Sequence, residues 1–245
     1  MSKKIALITG ANKGLGFETA LQLGREGVHI IAAARDKTKG IEAVEKLKEA
    51  GIDAEFLQLD VDKDTDIRFA YEYILNKYGK LDILINNAGI QIESDNWGVN
   101  TSIGLEESIL RKTMDTNFFS LVKLTDTLLP LIRKSEAGRI VNLSSILGSL
   151  QLHSNPASPI YASKLFAYNT SKTALNAYTI HLSAALANTA IKVNAVHPGW
   201  VKTDMGTDAA PMHIPEGAKT SVALALAGAD GVSGKFIHLD QEIPW

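Results

Sequence analysis

A run of apolar residues, Ile5-Ala6-Leu7-Ile8, ends directly in a glycine cluster, Thr9-Gly10-Ala11-Asn12-Lys13-Gly14-Leu15-Gly16, and a helix-like stretch follows over 15–25. Four successive apolar residues without polar alternation suit a strand covered on both faces. Strand-like segments recur at 28–34, 54–59, 81–85, 139–143, 191–196 and 235–239. Helix-like segments separate them at 38–50, 64–78, 105–134 (in two pieces), 164–186 and 218–227. Such a rhythm implies parallel strand pairing through right-handed crossovers, an α/β arrangement. The whole chain, residues 1–245, reads as a single domain, with no repeat, low-complexity tract or linker.

Composition narrows the function. The 25 basic and 27 acidic residues give a net charge of −2, which provides no footprint for nucleic acid or an anionic membrane. No apolar run approaches the ~18 residues of a membrane span. Residues 1–4 lead into a short apolar segment with no cleavage pattern, so no secretory signal is expected. There is no cysteine, which excludes disulfides, thiolate metal sites and cysteine nucleophiles and makes a cytoplasmic setting the default. No histidine or acidic spacing suggests a metal, and His197 reads as a packed or loop residue.

Taken alone, the glycine cluster is either a tight βα turn or a cradle whose free N–H groups attract a phosphate. A second pattern is Tyr168-Asn169-Thr170-Ser171-Lys172, a phenol and an ammonium one helical turn apart. A free phenol has a pKa of about 10, too high for efficient proton transfer at neutral pH, and a nearby positive charge should lower it. An oxygen that gains negative charge wants a hydroxyl donor beside the phenol, which Ser144 or Ser145 would supply after the fifth strand. Tyr161-Ala162-Ser163-Lys164 competes, but its spacing is one residue short, and Tyr161 reads as a loop residue near the substrate.

Thr9-Gly10-x-x-x-Gly14-x-Gly16, Asn86-Asn87-Ala88-Gly89, Tyr168-x-x-x-Lys172 and Pro198-Gly199 together resemble the short-chain dehydrogenase/reductase family, over nearly the whole chain and in its motif order. Asn12-Lys13-Gly14, Ala34-Arg35-Asp36 and the Ile243-Pro244-Trp245 tail resemble its carbonyl-reductase-like members. The resemblance implies a single-domain, doubly wound parallel sheet, a Rossmann fold of about seven strands with helices on both faces. It implies a catalytic set of Asn117, Ser145, Tyr168 and Lys172. Asn117 would hold a water in the proton relay, and Ser144 would face elsewhere. The separation of 23 positions from Ser145 to Tyr168 exceeds the family's usual spacing, which fits a surface loop at 150–159.

Cofactor contacts follow the same resemblance. Gly10, Asn12, Lys13, Gly14, Leu15 and Gly16 would meet the pyrophosphate, and Asp60 and Val61 the adenine. Asn87, Ala88 and Gly89 would lie at the carboxyl edge of the sheet. Tyr168 and Lys172 would contact the ribose. Pro198, Gly199, Val201 and Thr203 would hold the nicotinamide end. Arg35 and Lys13, with Lys39 as a third candidate, supply cations for a 2′-phosphate, so NADPH is expected over NADH. Asp36 leaves an alternative open, since it would either bind a ribose or pair with Arg35.

The expected reaction is NADPH-dependent reduction of ketones or aldehydes to alcohols by reversible hydride transfer. Its alternatives are an alcohol or steroid dehydrogenase working toward oxidation, or a cofactor-binding regulatory protein without turnover. Segments 91–104, 149–161 and 204–216 should form the pocket mouth. Their Ile92, Trp97, Leu150, Leu152, Tyr161, Met205, Met212 and Ile214, with Ile90 just before them, suggest a fairly apolar small-molecule substrate. By resemblance, the helices at 105–134 and 165–186 would pair copies into a homodimer or homotetramer.

Overall fold

The computed structural model describes residues 3–93 and 101–245. The first half contains β1 (Ile5–Thr9), α1 (Gly14–Arg25), β2 (His29–Ala34), α2 (Lys37–Glu49), β3 (Ala54–Gln58), α3 (Asp64–Tyr78) and β4 (Ile83–Asn86). The second contains α4 (Glu107–Met114), α5 (Ser120–Ile132), β5 (Arg139–Leu143), α6 (Leu150–Ser154), α7 (Phe166–Ala185), β6 (Lys192–Val196), α8 (Ile214–Leu226), β7 (Phe236–His238) and β8 (Gln241–Glu242).

All strands join one sheet in the order β3-β2-β1-β4-β5-β6-β7-β8, parallel throughout except for the antiparallel β7–β8 pair. The fold is thus the expected doubly wound α/β domain, with eight strands instead of about seven. The added strand, β8, has two exposed residues and no apolar pattern to reveal it.

Burial explains why the strands read as continuous apolar runs. Along β1, Ile5 and Leu7 enter one core with Ile74, Leu128 and Leu182, from α3, α5 and α7. Ala6 and Ile8 enter a second core with Leu23, Leu47 and Leu224, from α1, α2 and α8. Each strand residue therefore meets apolar side chains on whichever face it points to.

The strand order reverses direction between β1 and β4, which opens a crevice at their carboxyl ends. Buried polar bonds pin those ends. Thr9 Oγ1 accepts from the N–H groups of Asn87 and Ala88, both at 3.0 Å, and Asn87 Nδ2 donates to Thr9 O at 2.7 Å. Asn86, the structural member of the asparagine pair, donates to Thr125 Oγ1 and Asn142 Oδ1, each at 2.9 Å.

Candidate active site

A cleft of about 880 Å³ opens at this crevice, near the upper end of ligand-site volumes. Its floor is the turn from β1 into α1, and Gly10, Asn12, Lys13, Gly14, Leu15 and Gly16 all line it. The backbone there excludes side chains. Gly10 and Gly14 have φ of +65° and +56°, and a Cβ on Gly16 would fall 2.4 Å from the Gly10 carbonyl oxygen. No side chain caps the start of α1, so its first N–H groups face the cleft as a ready anion site. This cradle fits the pyrophosphate of a dinucleotide.

Arg35, Asp60 and Val61 line the same cleft, as do Asn87, Ala88, Gly89 and Thr203. Pro198, Gly199 and Val201 do not reach its lining, and neither do Tyr168 and Lys172. Lys39 joins Lys13 and Arg35 in the cleft lining. Asp36 lines the cleft too; its Oδ1 accepts from the Lys39 N–H at 3.0 Å and caps α2, and among the described residues no salt bridge joins it to Arg35. Sequence reasoning missed Asp204, whose carboxylate forms an ion pair with Lys13 across the cleft. The two are 191 positions apart, and no local pattern signals the contact.

The catalytic candidates converge behind the cleft floor. Tyr168 and Lys172 share one face of α7, with the Lys172 ammonium 5.5 Å from the Tyr168 ring centre. Lys172 Nζ donates to the Leu143 carbonyl at 2.8 Å and would lie 3.6 Å from a Cβ on Gly89. Leu143 and Gly89 both line the cleft, so the amine stands just beneath it. Ser144 is committed to Asn176 Oδ1 at 2.6 Å, whereas Ser145, whose Oγ accepts from Leu147 N–H at 3.2 Å, stands near enough to the Tyr168 phenol to favour its charged form.

Asn117 occupies a single π-helical turn, Asp115–Phe119, between α4 and α5. Its Oδ1 accepts from Ile90 N–H at 2.8 Å, and its Nδ2 donates to Ile90 O at 2.8 Å and Ser171 Oγ at 3.0 Å. The side chain therefore grips the segment after β4.

Burial pushes the Tyr168 phenol up to about 12, and only the Ser145 hydrogen bond opposes it. Burial pulls Lys172 down to about 8. The phenol is thus raised where a lowering by the ammonium was expected: desolvation is the largest cause, and only Ser145 acts against it. His197 is buried and pulled down to about 3, first by burial and then by His238, consistent with a packed neutral ring.

At the pocket mouth, Ile90, Met205 and Ile214 line the cleft. Leu152 packs near Tyr168, and Met212 lies beside Gly199. Ile92, Leu150 and Tyr161 are exposed. Tyr161 lies outside α7 with the Lys164 ammonium 4.3 Å over its ring, while Lys164 also donates to His153 O at 3.2 Å. Trp97 lies outside the described residues.

A family model described as short chain dehydrogenase matches residues 4–213. The chain is 33% identical to carbonyl reductase (NADPH) 1 of Mus musculus, over 100% of this chain and 99% of that one. It is 32% identical to salutaridine reductase of Papaver bracteatum, over 95% of this chain and 93% of that one. The NADPH-bound carbonyl reductase from chicken fatty liver superposes with a TM-score of 0.85 at 25% identity, covering 100% of both chains.

Proposed function

Because the chain belongs to the short-chain dehydrogenase/reductase family and is an NAD(P)-dependent oxidoreductase, we propose that it reduces ketones and aldehydes to alcohols with NADPH. The observation that carries this reading is the buried trio beneath the cleft: the Tyr168 phenol with the Ser145 hydroxyl nearby and the Lys172 amine alongside. When bound, the nicotinamide supplies the hydride.

The chain's own residues handle the oxygen. Tyr168 is its proton donor. A phenol pushed up to about 12 keeps its proton at neutral pH, the state that reduction requires, and a developing alkoxide is basic enough to take it. Ser145 donates to the same oxygen and holds it against the phenol. Lys172, drawn down to about 8, can return a proton toward Tyr168 near neutral pH. Asn117 fixes the Ile90 backbone beside them. The substrate enters beside segments 149–161 and 204–216.

The preference for NADPH is supported by Lys13, Arg35 and Lys39, which line the cleft, and by the hydrogen bond that engages one oxygen of Asp36 as a helix cap. An acid at that position would otherwise favour a ribose hydroxyl. Pairing into a homodimer or homotetramer is supported by Phe119 and Ile180, which stay exposed on the two helical regions expected to pair. Sedimentation as a monomer at micromolar concentration would count against it.

The deciding test is Tyr168→Phe. Turnover of an aromatic ketone, followed at the NADPH absorbance band, should fall by about 10²–10⁴-fold, the range of a lost general acid. NADPH binding, followed by fluorescence, should stay within about threefold, because the glycine cradle is untouched. Unchanged turnover overturns the assignment.

A further inference from the structure

We propose that Glu93 is a positioning residue for Tyr168: its carboxylate ties the segment after β4 to the first turn of α7 and so fixes where the phenol stands. This rests on Tyr168 being the proton donor proposed above. Glu93 is only 6% exposed. Its Oε1 accepts from the Ala167 N–H at 3.1 Å and its Oε2 from the Tyr168 N–H at 2.9 Å.

Helix α7 needs such an acceptor. Its first N–H groups have no partner within the helix. Leu165, which precedes it, offers no side-chain cap, and its first turn carries no acid. A cap ordinarily comes from the residue just before the helix. Here it comes from 74 positions upstream, and one of its two donors is the backbone of Tyr168 itself. Both carboxyl oxygens are engaged there, at the end of the helix whose N–H groups point outward. Among the described residues no salt bridge reaches it, and the Ala167 and Tyr168 N–H groups are the contacts that tie this buried side chain down.

The segment is held at a second point. Asn117 bonds both backbone groups of Ile90 at 2.8 Å. Residues 90–93 therefore bridge the π-helical turn and α7, and Ala88, Gly89 and Ile90 line the cleft on the approach. Tyr168 is the third residue of α7, whereas Lys172 lies a full turn deeper. Loss of the Glu93 cap would free the turn bearing the phenol while leaving the amine where it is.

The test compares Glu93→Ala, Glu93→Gln and Tyr168→Phe in the full chain. With the cap gone in Glu93→Ala, kcat should fall by about 10–100-fold, the scale on which a displacement near 1 Å acts. NADPH affinity and KM should stay within about threefold, since the glycine cradle is not involved. Hydrogen exchange at the Ala167 and Tyr168 amides should accelerate at least about tenfold relative to the middle of α7. Glu93→Gln keeps the shape and one acceptor and should recover part of kcat and of the protection. If Glu93→Ala does not fold, Glu93→Gln carries the comparison, with kcat and exchange intermediate between the parent and a lost cap. A folded variant with parental kcat and exchange overturns the positioning role. Turnover retained in Tyr168→Phe overturns the underlying reading, and turnover lost there but unchanged in both Glu93 variants overturns only the role of Glu93.

Discussion

Burial sets Lys172 against its own charge. The folded chain pulls its ammonium down to about 8 from an ordinary 10.5. Below about pH 8 both the folded and the unfolded chain carry the proton, and the folded state bears the full cost of a buried cation. Between about 8 and 10.5 the folded chain has released a proton that the unfolded chain still binds, so raising the pH removes that cost. Lys172→Met should therefore gain stability over the parent most clearly at pH 7, by a few kcal/mol at most, and the gap should narrow toward pH 10. Urea titrations at the two pH values measure it, and a gap that widens with pH contradicts the buried cation. Lys13 tests the cofactor end. Its pair with Asp204 is exposed and worth little to the fold, but it occupies a cation proposed above for a 2′-phosphate. Asp204→Asn should tighten NADPH a few-fold, the scale of an exposed ion pair, and leave NADH unchanged. Lys13→Ala should weaken NADPH by about tenfold or more, since it loses a charge-assisted bond. Calorimetric titration reads both, and equal effects on the two cofactors would remove Lys13 from the phosphate site. The Tyr168–Lys172 pair was legible because its meaning lies in a local spacing of one helical turn. Asp36 as a helix cap is also local, an Asp just before a helix start, but beside Arg35 it reads as a ribose or arginine partner. Asp204 opposite Lys13 was not legible, because that contact depends on where the folded backbone goes.

Elements that bury both faces were equally legible. β1, β2 and β4 announce themselves as unbroken apolar runs because helices cover both sides of the sheet. β8 is two exposed residues held at an edge by two register pairs, and nothing in its side chains encodes that pairing. The short α6 falls inside an expected loop, with Ser149 Oγ accepting from Leu152 N–H at 3.2 Å to cap it. The π-helical turn at Asp115–Phe119 is invisible to a 3.6-residue pattern, yet it is where Asn117 turns inward. The junction of β1 and α1 carries the sharpest prediction at this scale. A methyl on Gly16 would meet backbone, 2.4 Å from Gly10 O, with Asn87 Nδ2 at 2.5 Å. Gly16→Ala must therefore shift the cradle itself. NADPH affinity should drop by at least about tenfold while circular dichroism still reports the α/β content. Undiminished affinity would show that the glycine serves only the turn.

At the scale of the whole molecule, the carboxyl-end crevice follows from strand order alone, while the substrate side depends on contacts between distant parts of the chain. The ring of Trp245 stacks on Phe236 with centroids 5.6 Å apart. Its carbonyl accepts from Gln151 N–H at 3.0 Å, and the Pro244 carbonyl accepts from Ser149 Oγ at 2.6 Å. Residues 243–245 thus pin the start of segment 149–161. Ile146 and Leu152 pack both into the cluster containing Phe236 and Ile243, with Trp245 beside it, and into the cluster containing Leu147, Ile160, Leu165 and Tyr168. Through these two shared side chains, the stacked indole supports the wall beside the phenol from the far edge of the sheet. Trp245→Ala should lower stability by about 2 kcal/mol, less than a fully buried tryptophan because the ring is only partly covered. That corresponds to a few degrees in Tm for a chain of this size. The same variant should raise KM for the ketone and reduce kcat, while NADPH affinity, set on the opposite side of the switch point, stays put. If stability falls while the ketone parameters hold, the stack is a fold clamp alone. If NADPH binding weakens in proportion, the two sides of the cleft are mechanically joined, and this division of labour across the sheet is wrong.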